Sequence, residues 1–476
     1  MDWFGVGYVG RWLFTEGLAA VYLVAFVAAA RQFRALLGSD GMLPIPRYLA
    51  GGSFRRSPSI FHWHYSDRFF AAVAWTGAGL AAVTVAGVTA RLPLPLCMLV
   101  WLLLWVLYLS IVNVGQLWYG FGWESLLLET GFLAIFVGNA DVAPPLVMMV
   151  LLRWLLFRLE FGAGLIKIRG DPCWRRLTCL YFHHETQPMP GPLSWYFHHL
   201  PKPLHRIEAA GNHATQLAVP FLLFAPQPVA AGAAIVMIVT QLWLVASGNF
   251  SWLNWLAIVL ACSVLPDSLF EPVLPFGIPE TSPAPVWFTA LTLAVGAGVV
   301  VLSYWPVRNM LGHHQLMNAS FNPWHLVNTY GAFGTVTRVR TEIVVEGTRD
   351  AVPTAATQWH EYEFRGKPGD PTRRPRQYAP YHLRLDWLMW FAALSPGYAD
   401  RWFGEFVRRL LENDRDTLKL LRHNPFPDDP PAWVRARLYE YRYTDRATRR
   451  ATGRWWDRDL LSVCMRPVNL ARFGSM

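Results

Sequence analysis

Between residues 12 and 304 the chain is made of apolar runs of roughly 17–25 residues, the length at which an α-helix crosses the hydrocarbon core of a bilayer. No soluble fold needs so many runs of that length. Hydrophobic residues make up 53% of the 476 and charged residues only 16%, and beyond residue 306 the chain turns polar, Arg-rich and aromatic. The pattern predicts a polytopic α-helical membrane domain over residues 1–306 and a β-rich α+β soluble domain over 307–476. Spans are expected at 12–30, 69–90, 94–112, 123–138, 144–168, 212–225, 228–246, 250–265 and 286–304. Eight to ten is the range, because 123–138 and 212–225 are short enough to re-enter rather than cross.

Two polar loops, 31–68 and 169–211, interrupt the apolar pattern. Both are basic, and counting Arg and Lys near the spans would place them, with the C-terminal domain, in the cytoplasm. The first run lacks a basic leader and a small-residue cleavage site, so it is expected to be retained as a signal anchor. A net charge of +10 suits contact with anionic lipid headgroups, and no groove-reading or zinc-finger pattern points to nucleic acid. Within the tail, GTVTRVRTEIVVEGT, QWHEYEFRGKPGD and ARLYEYRYT read as strands. DRWFGEFVRRLLENDRDTLKLL has helical spacing, and HLRLDWLMWFAAL is either strand or helix.

The span at 144–168 is unusual because it carries charge. Arg153, Glu160 and Lys167 recur every seven residues, nearly two helical turns, so they share a face. Arg158 lies in the same run, and each such group costs roughly 2.5–3.5 kcal/mol if left facing lipid. The preceding span holds Glu124 and Glu129. Counted outward from the link at 139–143, Glu129 falls at the depth of Arg153 and Glu124 at that of Arg158. A helical hairpin would then form a buried charged seam. Two readings stand: a structural salt-bridge network, or a polar active site with Lys167 at its mouth. Gly162 and Gly164 beside it permit close approach by a helix or ligand.

RLEFGAGLIKIRGDPCWRRLTCLYFHHETQPMP, SGNFSWLNWLAIVLACSVLPD, NTYGAFGTVTRVRTEIVVEG and EYEFRGKPGDPTRRPRQYAPYHLRLDWLMWFAAL, in this order, resemble the lipase maturation factor family. That resemblance implies an endoplasmic reticulum-type membrane protein that helps lipases reach an active, secretable form. It also implies an external or lumenal C-terminal domain, against the loop-charge count, and it takes precedence here. The membrane would be the plasma membrane in a bacterium and the endoplasmic reticulum in a eukaryote. More distantly, FGAGLIKIRGDPCW is similar to a helix end of vitamin K-dependent γ-glutamyl carboxylase. There, a Lys three residues after a Gly is the base acting on a reduced quinone, and Lys167 stands three after Gly164. The alternative for Lys167 is a snorkelling anchor.

Cys173 and Cys179 have neither CxxC nor zinc spacing, and would form a local disulfide if their loop faces an oxidising compartment. His183, His184 and Glu185 are adjacent and so do not share a face as metal ligands; no metal is expected, and contact with lipid phosphates or a client suits them better. Arg373, Arg374 and Arg376 form a second candidate surface for a client or headgroups. No GxSxG or HExxH signature appears, which argues against an autonomous hydrolase. The expected function is a membrane folding factor with the bilayer and an exported, lipase-like client as partners and no cofactor. The alternative is a membrane enzyme taking a quinone or lipid, with Lys167 as base.

Overall fold

The computed structural model describes residues 7–473 apart from 273, 275 and 276. Counting helices of nine residues or more, the membrane part contains α1 (Tyr8–Leu37), α2 (Asp67–Val85), α3 (Leu94–Val114), α4 (Gly122–Ala134), α5 (Leu146–Arg169), α6 (Lys202–Leu217), α7 (Val229–Ser247), α8 (Leu253–Cys262) and α9 (Val286–Leu302). Eight of the nine expected runs hold one; the run 212–225 takes in only the end of α6, which starts at Lys202 inside the expected loop 169–211. Five are long and apolar enough to cross a membrane: α1, α2, α3, α7, and α9 with the short helix after it. α5 is long enough at 24 residues but charged. α4 and α8, at 13 and 10 residues, rise only about 20 and 15 Å. α6 gives way to a 3₁₀ segment, Val219–Phe224, where Pro220 cannot continue the helix.

Helix α1 is the hub. Phe14, Leu18, Tyr22, Ala25 and Phe26 are fully buried along it, and it packs on α2 and α8. Its first turn is tied down by Asp267, whose carboxylate accepts the Tyr8 and Val9 backbone N–H groups at 2.8 Å each. A carboxylate there satisfies donors that a helix start leaves open and complements the helix dipole.

The tail forms a four-stranded antiparallel sheet in the order β2-β1-β3-β4, from β1 (Arg340–Thr348), β2 (His360–Glu361), β3 (Trp433–Tyr443) and β4 (Trp456–Val468). Helices α10 (Arg384–Leu394) and α11 (Phe403–Leu411) pack against β1 and β3. HLRLDWLMWFAAL is thus a helix. QWHEYEFRGKPGD pairs over His360–Glu361 and again at Glu363 with His423, before Gly366 and Pro368 end its extended run. β4 has no counterpart in the expected elements, because WDRDLLSVCMRPV does not alternate in polarity. Its Leu460, Leu461 and Val463 are about half exposed. One hydrophobic core runs without a break from α1 to the sheet, joining Tyr22 and Leu152 to Leu388 and Val434.

Candidate functional site

All five seam residues are buried: Glu124, Glu129, Arg153, Arg158 and Glu160 are at most 2% exposed. Their pairing differs from the expected register. Glu129 pairs with Arg158, not Arg153, and Glu124 pairs with neither. Glu129 lies five residues before the end of α4, whereas Arg158 lies twelve after the start of α5. The link does not turn at once. It runs on as extended chain held by the Ala143 N–H to Ser282 carbonyl bond, displacing α5 by about 10 Å relative to a tight hairpin.

The partners that complete the seam come from beyond the last span. Glu129 accepts the Asn328 backbone N–H at 2.9 Å, its side-chain amide at 3.0 Å and the Tyr330 hydroxyl at 2.7 Å. Arg158 donates to the Asn328 carbonyl at 2.7 Å. Glu124 accepts from Arg384 of α10 at 2.7 Å and from the Tyr108 hydroxyl at 2.5 Å. Arg384 also donates to the Trp118 carbonyl at 2.6 Å and lies 3.5 Å from the centroid of the Tyr119 ring. Glu124 and Glu129 therefore each have a cation and further donors, the condition under which a buried charge is tolerated. Arg153 donates to the Leu223 carbonyl at 3.0 Å, at the C-terminal end of the 3₁₀ segment where carbonyls lack helical partners.

Farther along α5 the polar groups are hydrogen-bonded in series. The Lys167 ammonium donates to Asn212 at 2.7 Å and Gln216 at 2.8 Å. Gln216 donates to Glu160 at 3.2 Å, Gln241 donates to the other Glu160 oxygen at 2.6 Å, and Asn254 donates to Gln241 at 2.7 Å. Glycines bring the chains this close. A Cβ on Gly162 would sit 2.4 Å from the Tyr330 carbonyl, and one on Gly164 would sit 2.8 Å from Leu217.

This relay lies along one wall of a cavity of about 830 Å³ bounded by α5, α6, α7, α8, residues 331–335 and α10. The other walls are mainly apolar, including Phe250, Trp387 and Trp390. Leu204, Ile207, Val239 and Trp243 line it and are 45–66% exposed, so it opens between α6 and α7 past apolar side chains. The volume is that of a small-molecule pocket, mainly apolar with one polar wall.

The loop residues fall in different places. Cys173 and Cys179 are disulfide-bonded, with Cα atoms 4.9 Å apart. His183 and His184 are 8% and 1% exposed and line the cavity, so they face its interior rather than the outer surface. Burial, with His184 alongside, pushes the His183 imidazole down to about 3, so it is neutral near pH 7. Glu185 turns away to accept the Tyr443 backbone N–H at 2.7 Å, and burial raises its carboxyl. Arg373 is spent on structure, donating to the Phe364 and Lys367 carbonyls at 2.7 and 2.6 Å. Arg374 and Arg376 remain exposed beside a surface groove that also borders Arg422. Asn249 holds this segment down, accepting the Tyr378 and Ala379 N–H groups at 2.7 and 2.8 Å.

Sequence reasoning passed over Asn328, Tyr330, His382 and Arg384, which complete the seam. Their signal was present, since NTYG and HLRLDW lie inside the motifs that carry the family resemblance.

A family model described as the lipase maturation factor transmembrane domain matches residues 9–272, and one described as the lipase maturation factor C-terminal domain matches 326–466. The chain is 41% identical to Lipase maturation factor 1 of Bos taurus, over 98% of this chain and 90% of that protein. It is 39% identical to the Homo sapiens protein of that name, over 98% and 89%, and 30% identical to Lipase maturation factor 2 of Gallus gallus, over 94% and 80%. No solved structure matches. With both halves matched in order and the identity sustained along its length, the chain belongs to the lipase maturation factor family.

Proposed function

We propose that the chain is a multi-pass membrane maturation factor that holds partly folded exported proteins, lipase-like ones by kinship, on its C-terminal domain. The observation that carries this reading is the outer edge of β4. It is an end strand of 13 residues, paired on one side with β3 and with no described strand on the other. Its exposed Leu460, Leu461 and Val463 lie along that edge. Such an edge offers backbone donors and acceptors to an incoming extended segment, with apolar side chains to grip it. The Glu124–Arg384 pair ties α10, which packs on β1, to the membrane helices, and so holds the sheet beside them.

An external or lumenal position for this domain is supported by the disulfide. The Cys173–Cys179 loop contacts the tail directly: Asp171 pairs with Arg338 at 2.9 Å, and the Trp174 indole donates to the Phe333 carbonyl at 2.8 Å. Loop and tail share a side, and disulfides persist where the compartment is oxidising. The test co-expresses the full chain with an exported lipase. Leu460→Lys and Val463→Lys should reduce co-purification of the client and the specific activity of the secreted enzyme, leaving its transcript and the membrane level of the chain unchanged. Secreted activities that survive deletion of the gene undiminished would defeat the proposal.

A second reading rests on Lys167 bordering the 830 Å³ cavity. The cavity would hold a lipid or quinone, with its polar end on the relay. Native mass spectrometry of the purified chain should then show a bound lipophilic molecule, displaced in Lys167→Ala; a bare chain would dismiss it.

A further inference from the structure

The loop after α5 and the first half of α6 assemble a cluster that neither the seam nor the β4 edge uses. His184, His205 and Glu208 each offer one ligand atom, and the three atoms lie within 4.8 Å of one another. His184 Nε2 stands 3.6 Å and His205 Nδ1 3.9 Å from Glu208 Oε2. Those three atoms are buried and have no hydrogen-bond partner, and the imidazoles are 1% and 2% exposed.

The remaining atoms of His205 and Glu208 are held in the manner of metal ligands. His205 Nε2 lies 3.3 Å from the His198 carbonyl, and Glu208 Oε1 accepts the Trp243 indole N–H at 2.9 Å. A carbonyl only accepts, so Nε2 carries a proton, and Nδ1 is the ring atom left facing the Glu208 carboxylate. A buried carboxylate oxygen and ring nitrogen that face each other without a hydrogen-bond partner call for a cation shared between them, a proton or a metal ion. A remote ring N–H bonded to a carbonyl also orients a ligating histidine and raises its basicity.

We propose that His184, His205 and Glu208 bind a divalent transition metal, zinc foremost, with its open coordination position facing the cavity. Two imidazole nitrogens and one carboxylate form a donor set suited to zinc. Ligand atoms around tetrahedral zinc are roughly 3.3 Å apart, so modest side-chain rotation closes the observed 3.6 and 3.9 Å. Three protein ligands leave one position for an outside group, unlike the closed four-ligand sites that only support folding. His184 and Glu208 line the cavity, so that position is offered to a carbonyl or anionic oxygen of whatever fills it. His205 and Glu208 share a face of α6 three residues apart, but His184 comes from a different element, and only the fold brings it to them.

The test uses the full chain purified in detergent without a metal-affinity tag. Mass spectrometry of the elements should find about one zinc per chain. After chelation, Co²⁺ titration should give the visible absorption of a four-coordinate site, saturating at one equivalent. His184→Ala and Glu208→Gln should each remove both signals, whereas His199→Ala, outside the cluster, should keep them. Zinc well below one per chain together with no cobalt absorption in the unmutated protein would overturn the proposal, leaving a proton to bridge the cluster; this arm needs no variant to fold. Metal retained in both His184→Ala and Glu208→Gln would overturn it too, by placing the ion elsewhere.

Discussion

Replacing Arg384 with Met should partly detach the C-terminal domain from the membrane helices. Glu124 and Arg384 are both fully buried and joined at 2.7 Å. Without the guanidinium, the carboxylate keeps the Tyr108 hydroxyl and His382, whose imidazole is pushed down chiefly by burial, a cause that persists in the variant. One neutral donor and an uncharged ring do not replace a cation in a dry site. Breaking a buried pair in this way costs about 3–5 kcal/mol, which raises the population of the opened form by roughly a hundred- to a few-thousand-fold. Limited proteolysis of the chain in lipid nanodiscs reads this directly, as cleavage between residues 312 and 340. The double variant Glu124→Leu/Arg384→Met leaves no charge stranded and should lie within about 2 kcal/mol of the unmutated chain. A single variant as resistant as the parent, or a double variant whose loss equals the sum of the two single losses, would refute the reasoning.

Other consequences are smaller. Asp171 is pulled below the usual carboxylate range: burial raises it, but the Arg338 guanidinium and the Cys173 and Val336 N–H groups outweigh burial. Its stabilisation is therefore complete above the unfolded value of about 3.9 and is lost as pH falls through the lower folded value. The stability gap between the parent and Asp171→Asn, measured by denaturation, should stay constant above about pH 5 and close at lower pH. Gly162→Ala should cost about 1–3 kcal/mol, because the Tyr330 carbonyl 2.4 Å from the new methyl is backbone; Gly164→Ala, which meets the flexible Leu217, should cost less, and thermal unfolding compares the two. Opening the Cys173–Cys179 loop, which spans six positions, with Cys179→Ser should cost about 2 kcal/mol on chain entropy, visible as an equal destabilisation when the parent is reduced.

The spans were legible because the bilayer imposes a length, and so was the presence of charge in α5. The pairing was not. Depth counting treats the link between α4 and α5 as a tight turn, and nothing in VGNADVAPP announces that it runs on to meet residue 282. The partner of Arg384 was unreadable for another reason: its carboxylate is 260 positions away, and local periodicity carries no information at that range. The grouping of His184 with His205 and Glu208 was out of reach in the same way, since those two lie on a later helix and only the fold brings them to His184. β4 lacked alternation because several of its exposed residues, Leu460, Leu461 and Val463, are apolar.

The central claim is that Asn328, Tyr330 and Arg384 close the membrane seam, making helices and tail one rigid body. Hydrogen–deuterium exchange of the full chain in nanodiscs measures this most directly. Amides at 326–334 and 382–394 should exchange as slowly as those of α4, and Glu129→Gln should speed both α4 and 326–334 together. Tail amides that exchange orders of magnitude faster than α4, unaffected by that change, would contradict it.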